Sequence, residues 1–94
     1  MRTLIIEDDP VSRQLLHRLL SQNGVCDALE SATLGLEAFS TSLKKNQRYD
    51  LICLDIMLPD ANGMDVLREL RSLEAKAGVE GLDRSSVLMI TSLD

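Results

Sequence analysis

Acidic side chains stand where apolar runs end. Glu7 and Asp8 follow Leu4-Ile5-Ile6, Asp55 closes the run Leu51-Ile52-Cys53-Leu54, and the hydroxyl residues Thr91 and Ser92 follow Val87-Leu88-Met89-Ile90. Brought together, Glu7, Asp8 and Asp55 would repel one another and hold their protons unless a cation sat among them. A small set of oxygen ligands that leaves room for water and a phosphate suits Mg²⁺ better than a caged Ca²⁺. Beside such a cation, Asp55 has the chemistry of a nucleophile toward a phosphoryl group, giving an aspartyl phosphate, and the Thr91 hydroxyl can donate a hydrogen bond to that group. Taken singly, these residues have plainer readings. Glu7-Asp8-Asp9 also reads as a solvated loop with Asp9 capping a helix, and Thr91 as an ordinary strand-favouring residue. Asp55 resists the plain reading most, because a carboxylate at the end of a buried strand is costly without a partner.

Those chemistries require elements that bring distant residues to one edge. Residues 3–7 (TLIIE) are short, apolar and β-branched, which predicts a buried strand. Asp9-Pro10 is a helix start, and Val11, Leu15, Leu16, Leu19 and Leu20 recur at helical spacing, predicting a helix over 11–22 with that stripe inward. Asn23-Gly24 stops it, and residues 25–29 read as a weaker strand. Ser31 can cap a second helix with Ala32, Leu36, Phe39 and Leu43 on one face, ending near Lys44-Lys45-Asn46. Leu51–Asp55 is the clearest strand, and Leu58-Pro59-Asp60-Ala61-Asn62-Gly63 is loop chemistry. Val66, Leu70, Leu73 and Ala77 mark a third helix, widened by Leu67, with Asp65, Arg68, Glu69 and Arg71 on the wet side. A mostly polar loop over 78–85 leads to a fourth strand over 87–90. The alternation of strands and helices predicts an α/β domain with a parallel sheet covered on both faces. In such sheets ligands bind beyond the carboxyl ends of the strands where strand order reverses, so Glu7, Asp8 and Asp55 converge if the first and third strands are neighbours.

Composition narrows the functions further. The 94 residues suffice for one small domain, and 45% hydrophobic with 27% charged residues is an ordinary globular balance that argues against disorder. A net charge of −5 argues against a grip on nucleic acid or an anionic membrane, and Phe39 and Tyr49 as the only aromatics leave no base-stacking surface. No apolar run approaches the ~18 residues of a membrane span, and nothing near Met1 has the length of a signal-peptide core, so the chain reads as cytoplasmic. Cys26 and Cys53 have no metal-ligand spacing and read as buried thiols. His17 lies off the apolar stripe of its helix and reads as a solvated surface residue.

The segments LIIEDD, LICLDIMLPDANG and VLMITS together resemble the receiver domain of two-component response regulators. The resemblance runs over residues 2–93. It implies a flavodoxin-like, doubly wound sheet of strand order 2-1-3-4. It also implies that Glu7 and Asp8 are the acidic pair that holds Mg²⁺, that Asp55 is the phosphoacceptor, and that the backbone carbonyl of Met57 is a further metal ligand. Thr91 then matches the switch hydroxyl, Ser92 the small residue after it, and Pro59 and Gly63 the loop following the phosphoacceptor. The implied partners are a histidine kinase or histidine phosphotransfer protein, and a downstream effector domain or protein. Two departures stand out: a longer stretch over residues 74–86, and the want of a match to the family's fourth helix, fifth strand and fifth helix. None of Lys44, Lys45 or Lys76 lies at a strand end, so the family's phosphate-contacting lysine has no counterpart. These residues are therefore expected to be the N-terminal three-quarters of a receiver, phosphorylated weakly as they stand. The bare fourth-strand edge is expected either to be covered by further chain or to pair with a second copy. In that strand order Cys26 and Cys53 lie about 9–10 Å apart, beyond the roughly 7 Å a disulfide spans, so both thiols should be free.

Two other functions compete with a phosphorylation-controlled signalling module. A Mg²⁺-dependent phosphohydrolase with an aspartyl nucleophile would need a second acid two residues on, where Met57 stands. A phosphorylation-independent interaction module would keep the fold without needing the acids.

Overall fold

The structure, a computed structural model, describes residues 1–91. Four strands, β1 (Thr3–Ile6), β2 (Cys26–Leu29), β3 (Leu51–Asp55) and β4 (Ser86–Ile90), alternate with helices α1 (Pro10–Leu20), α2 (Ala32–Lys44) and α3 (Gly63–Lys76). The sheet is parallel throughout in the order β2-β1-β3-β4, the doubly wound arrangement expected. Ile6 pairs with Leu54 across β1 and β3, so the residues that follow, Glu7 and Asp55, leave the sheet side by side.

Local chemistry accounts for the helix starts. The Asp9 carboxylate accepts the Ser12 N–H with Pro10 at the first helical position, Ser31 Oγ accepts from Leu34 N, and Asn62 Oδ1 accepts from Met64 N. Element ends differ slightly from expectation. α1 stops at Leu20 and a single tight 3₁₀ turn over Ser21–Asn23 carries the chain to Gly24, whose φ of 133° reverses it. β1 ends at Ile6, leaving Glu7 free of the ladder, and another 3₁₀ turn (Gly81–Asp83) interrupts the loop before β4.

The two sheet faces are unequal. Leu4, Ile6, Ile52 and Leu54 pack with Ala32 and Phe39 of α2 and Val66 and Leu70 of α3 to form the core. The opposite face carries Ile5 and Cys53 beneath α1, and here expectation fails. The α1 stripe does not point inward as a whole: Val11, Leu15 and Leu19 are 74%, 54% and 53% exposed, and no α1 residue is fully buried. One helix about 10 Å wide covers about two strands spaced 4.8 Å apart, and α1 lies over β1 and β2. Among the described residues that face of β4 is only partly covered: Leu88 is 53% exposed, while Ile90, at the end of the strand, lies near Leu15 and Leu16 of α1. Both thiols are free, as the strand order demands. His17 is exposed, with Nε2 3.0 Å from the Cys26 carbonyl on the β2 edge.

A buried polar knot fixes the entry to β4. Glu74, 1% exposed, accepts from Arg71 Nη1 at 2.7 Å and from Ser85 N at 2.8 Å. The same Arg71 nitrogen donates to Ser85 O, and Ser85 Oγ donates to Tyr49 O. Arg71 is thus half-buried in this knot and not on the wet side where periodicity alone would place it. Glu74→Ala would strand a buried N–H and a partly buried guanidinium, and is expected to cost about 2–3 kcal/mol in chemical denaturation. Glu74→Gln can still accept from Ser85 N and should lose about half of that; equal losses for both would mean that charge pairing with Arg71 carries the whole effect.

Candidate functional site

Glu7 and Asp8 follow β1 directly and Asp55 is the last residue of β3, so the parallel register alone gathers them at one sheet edge. One carboxylate oxygen from each of the three lies within 4.8 Å of the others. Glu7 and Asp55 form a buried floor, 2% and 1% exposed, while Asp8 stands exposed at the rim. Among the described residues, Glu7 Oε1 is buried without a hydrogen-bond partner. Burial, then the neighbouring Asp55 carboxylate, pushes Glu7 from its usual 4.5 up to about 7. An unpaired buried oxygen beside two more carboxylates is the environment a hard cation relieves, and an all-oxygen donor set with an open side fits Mg²⁺.

The loop after β3 wraps the mouth of this cluster. Met57 N–H donates to Asp55 Oδ1 at 3.0 Å and orients that carboxylate, while the Met57 side chain is 75% exposed. The loop closes on itself through a Met57–Asn62 bridge and a bond from Gly63 N to Ile56 O at 2.8 Å. Gly63 is required there, because a Cβ would lie 2.7 Å from the Ile56 Cα. Leu58 is buried beneath the loop and Pro59 is exposed on it. Thr91, immediately after β4 and exposed, lines a cavity of about 230 Å³ together with Glu7, Leu15 and Ile90. The structure therefore brings Glu7, Asp8, Asp55, Met57 and Thr91 to one edge of the sheet. Ser92 lies outside the described residues. Lys44 and Lys76 end α2 and α3, the edge opposite the acids in a parallel βα fold.

Two residues at this edge escape a reading of spacing. Arg13, in the first turns of α1, donates Nη1 to the carbonyls of Glu7 (3.0 Å) and Asp8 (3.1 Å) and so braces the acidic pair from behind. Asp60 reaches across to the start of α2. Proximity to the acids was the one available signal for Arg13, and it becomes visible only once α1 is docked.

Residues 3–93 match the family model of the response regulator receiver domain. The chain belongs to this family. Receiver domains are signalling modules and not metabolic enzymes. This receiver is 40% identical over 72 residues to the probable transcriptional regulatory protein SilR of Salmonella typhimurium, covering 77% of this chain and 30% of that protein. It is 40% identical over 86 residues to the cell cycle transcriptional regulator CtrA of Caulobacter vibrioides, covering 92% of this chain and 36% of that protein. The chain thus spans only about a third of the length of these relatives, 30% and 36%. The receiver domain of the histidine kinase CKI1 from Arabidopsis thaliana, in a crystal structure complexed with Mg²⁺ and BeF₃⁻, superposes with a TM-score of 0.84 at 22% identity, over 99% of this chain and 66% of that one. The response regulator MaeR bound to beryllium trifluoride superposes with a TM-score of 0.69 at 27% identity, over 100% of this chain and 69% of that one. Among the described residues, no helix of this receiver is long and apolar enough to cross a membrane.

Proposed function

We propose that this receiver accepts a phosphoryl group on Asp55 from a histidine kinase or histidine phosphotransfer protein in the cytoplasm. The observation that carries the reading is the convergence of Glu7, Asp8 and Asp55 around a buried, unpaired Glu7 oxygen. Glu7, Asp8, Asp55 and the backbone carbonyl of Met57 would hold Mg²⁺. When bound, Mg²⁺ would neutralise charge on the carboxylates and on the phosphoryl oxygens. An Asp55 carboxylate oxygen attacks phosphorus; the new P–O bond forms as the P–N bond to the donor imidazole breaks, and the departing nitrogen takes up a proton. Met57 N–H fixes one Asp55 oxygen, and Arg13 holds the backbone of Glu7 and Asp8 so that their side chains stay aimed. The Thr91 hydroxyl then serves as the switch, donating to the phosphoryl group and altering the β4 edge that a downstream effector domain or protein reads.

The test is incubation of the chain with Mg²⁺ and a small phosphodonor such as phosphoramidate, followed by intact mass spectrometry. A gain of one phosphoryl group, partial in extent for want of a phosphate-contacting lysine among the described residues and abolished by a chelator, is expected. No gain would favour the phosphorylation-independent module. The phosphohydrolase reading has little support, since Met57 occupies the place of its second acid.

Among the described residues β4 has one unpaired edge, and this edge, with the exposed Val11, Leu15, Leu19 and Leu88 side chains, favours a companion reading in which the chain self-associates through β4. Sedimentation velocity is expected to show dimer growing with concentration, suppressed by Leu88→Lys; a well-folded, strictly monomeric chain would dismiss it.

A further inference from the structure

Asp60 makes an unusual connection. Its Oδ1 accepts from Ala32 N at 3.0 Å, and its Oδ2 accepts from both Thr33 N and Thr33 Oγ1 at 3.0 Å. A helix start leaves four N–H groups without intrahelical partners, and a single capping side chain ordinarily serves one of them. α2 already has that cap in Ser31, which takes Leu34 N at 3.2 Å. The two further N–H groups are therefore held by a residue 27 and 28 positions downstream, in the loop that follows Asp55. A local cap is sufficient for α2, so the element that gains most from the distant bonds is the loop.

That loop needs an anchor. Met57 and Pro59 project into solvent, Leu58 is the buried side chain of the tip, and the Met57–Asn62 bridge and the Gly63–Ile56 bond close the loop only upon itself. Asp60 ties it to a separate rigid body, and the backbone N–H groups of Ala32 and Thr33 hold its carboxyl below the usual carboxylate range, so the clamp stays charged. We infer that Asp60 is a positioning residue, clamping the 56–62 loop to the N-terminus of α2 so that the Met57 backbone is held against the Glu7–Asp8–Asp55 cluster. The inference rests on the Mg²⁺ site proposed above.

The test follows backbone amide resonances of isotopically labelled protein during a Mg²⁺ titration above neutral pH, with thermal melting alongside. In the wild type, Glu7, Asp8 and Met57 amides are expected to shift together. Asp60→Ala should weaken Mg²⁺ binding about tenfold, the lower range for loss of a group that orients a metal ligand, and should shift the Ala32, Thr33 and Met57 amides before any metal is added. Asp60→Asn keeps one acceptor and should recover part of the affinity. Ser31→Ala removes only the local cap; it should lower the melting temperature while leaving Mg²⁺ affinity unchanged. Wild-type affinity in Asp60→Ala and Asp60→Asn, or equal weakening by Ser31→Ala, would overturn the clamp while leaving the metal site standing. Failure of the wild type itself to bind Mg²⁺ would overturn the site, and the role of Asp60 with it.

Discussion

Asp55→Asn is expected to remove phosphoryl incorporation on the order of a hundredfold or more, down to background, without unfolding the protein. The asparagine carbonyl can still accept the Met57 N–H that Asp55 Oδ1 now accepts at 3.0 Å, and the side chain keeps its volume in a position only 1% exposed. What the variant lacks is the anionic oxygen that the proposed transfer requires, since an amide is no nucleophile under these conditions. Removing one charge from the floor of the cluster also relieves the Asp55 repulsion that helps push Glu7 up, so the metal-free variant should melt at or slightly above the wild-type temperature. Intact mass spectrometry with a small phosphodonor reads the first effect and thermal melting the second. Undiminished labelling would place the nucleophile elsewhere, and a large fall in melting temperature would make Asp55 a structural carboxylate.

The second large effect belongs to Glu7 and runs in opposite directions with and without metal. Its folded-state pKa is raised from 4.5 to about 7, so between those values the folded chain binds more protons than the unfolded one. Stability contributed by the protonated form is therefore fully present below pH 4.5 and is lost as pH rises through about 7. Above that pH, Glu7→Gln should raise metal-free stability by about 2–3 kcal/mol, because the amide supplies a neutral group where the wild type must bury a charge. If Glu7 helps hold Mg²⁺ as proposed, the metal is expected to invert this order: it should stabilise the ionised wild type, increasingly as pH climbs past neutrality, and do little for the glutamine variant. Denaturant unfolding across pH, with chelator and with Mg²⁺, checks both halves. A glutamine variant less stable than wild type in chelator, or equally stabilised by Mg²⁺, would return Glu7 to an ordinary hydrogen-bonding role.

The elements were legible because their causes are local. Asp9, Ser31 and Asn62 cap helices through bonds to the next turn, and apolar runs as short as Leu51-Ile52-Cys53-Leu54 suit strands covered on both faces. The candidate acids were legible for a related reason: an ionisable group at the end of such a run stands out against its neighbours. Glu74, Arg13 and Asp60 were not, since each finds its partners through the fold — Glu74 at Ser85, Arg13 at the Glu7 and Asp8 carbonyls, Asp60 at Ala32 and Thr33. In sequence they look like solvated charges on a helix or a loop.

The inward α1 stripe failed on lateral cover. Periodicity shows that Val11, Leu15, Leu16, Leu19 and Leu20 share a side, but not how much sheet lies beneath them, and with one helix on this face among the described residues Val11, Leu15 and Leu19 remain in solvent. The amino-acid sequence by itself thus determined the strands and the caps, and singled out Glu7, Asp8, Asp55 and Thr91 as candidates, because these depend on neighbours a few residues away. Only the tertiary structure decided that Ile6 faces Leu54, that one Glu7 oxygen is buried and unpaired among the described residues, and that Asp60 grips α2, because parallel register and docking alone bring those distant groups within hydrogen-bonding and Coulombic reach.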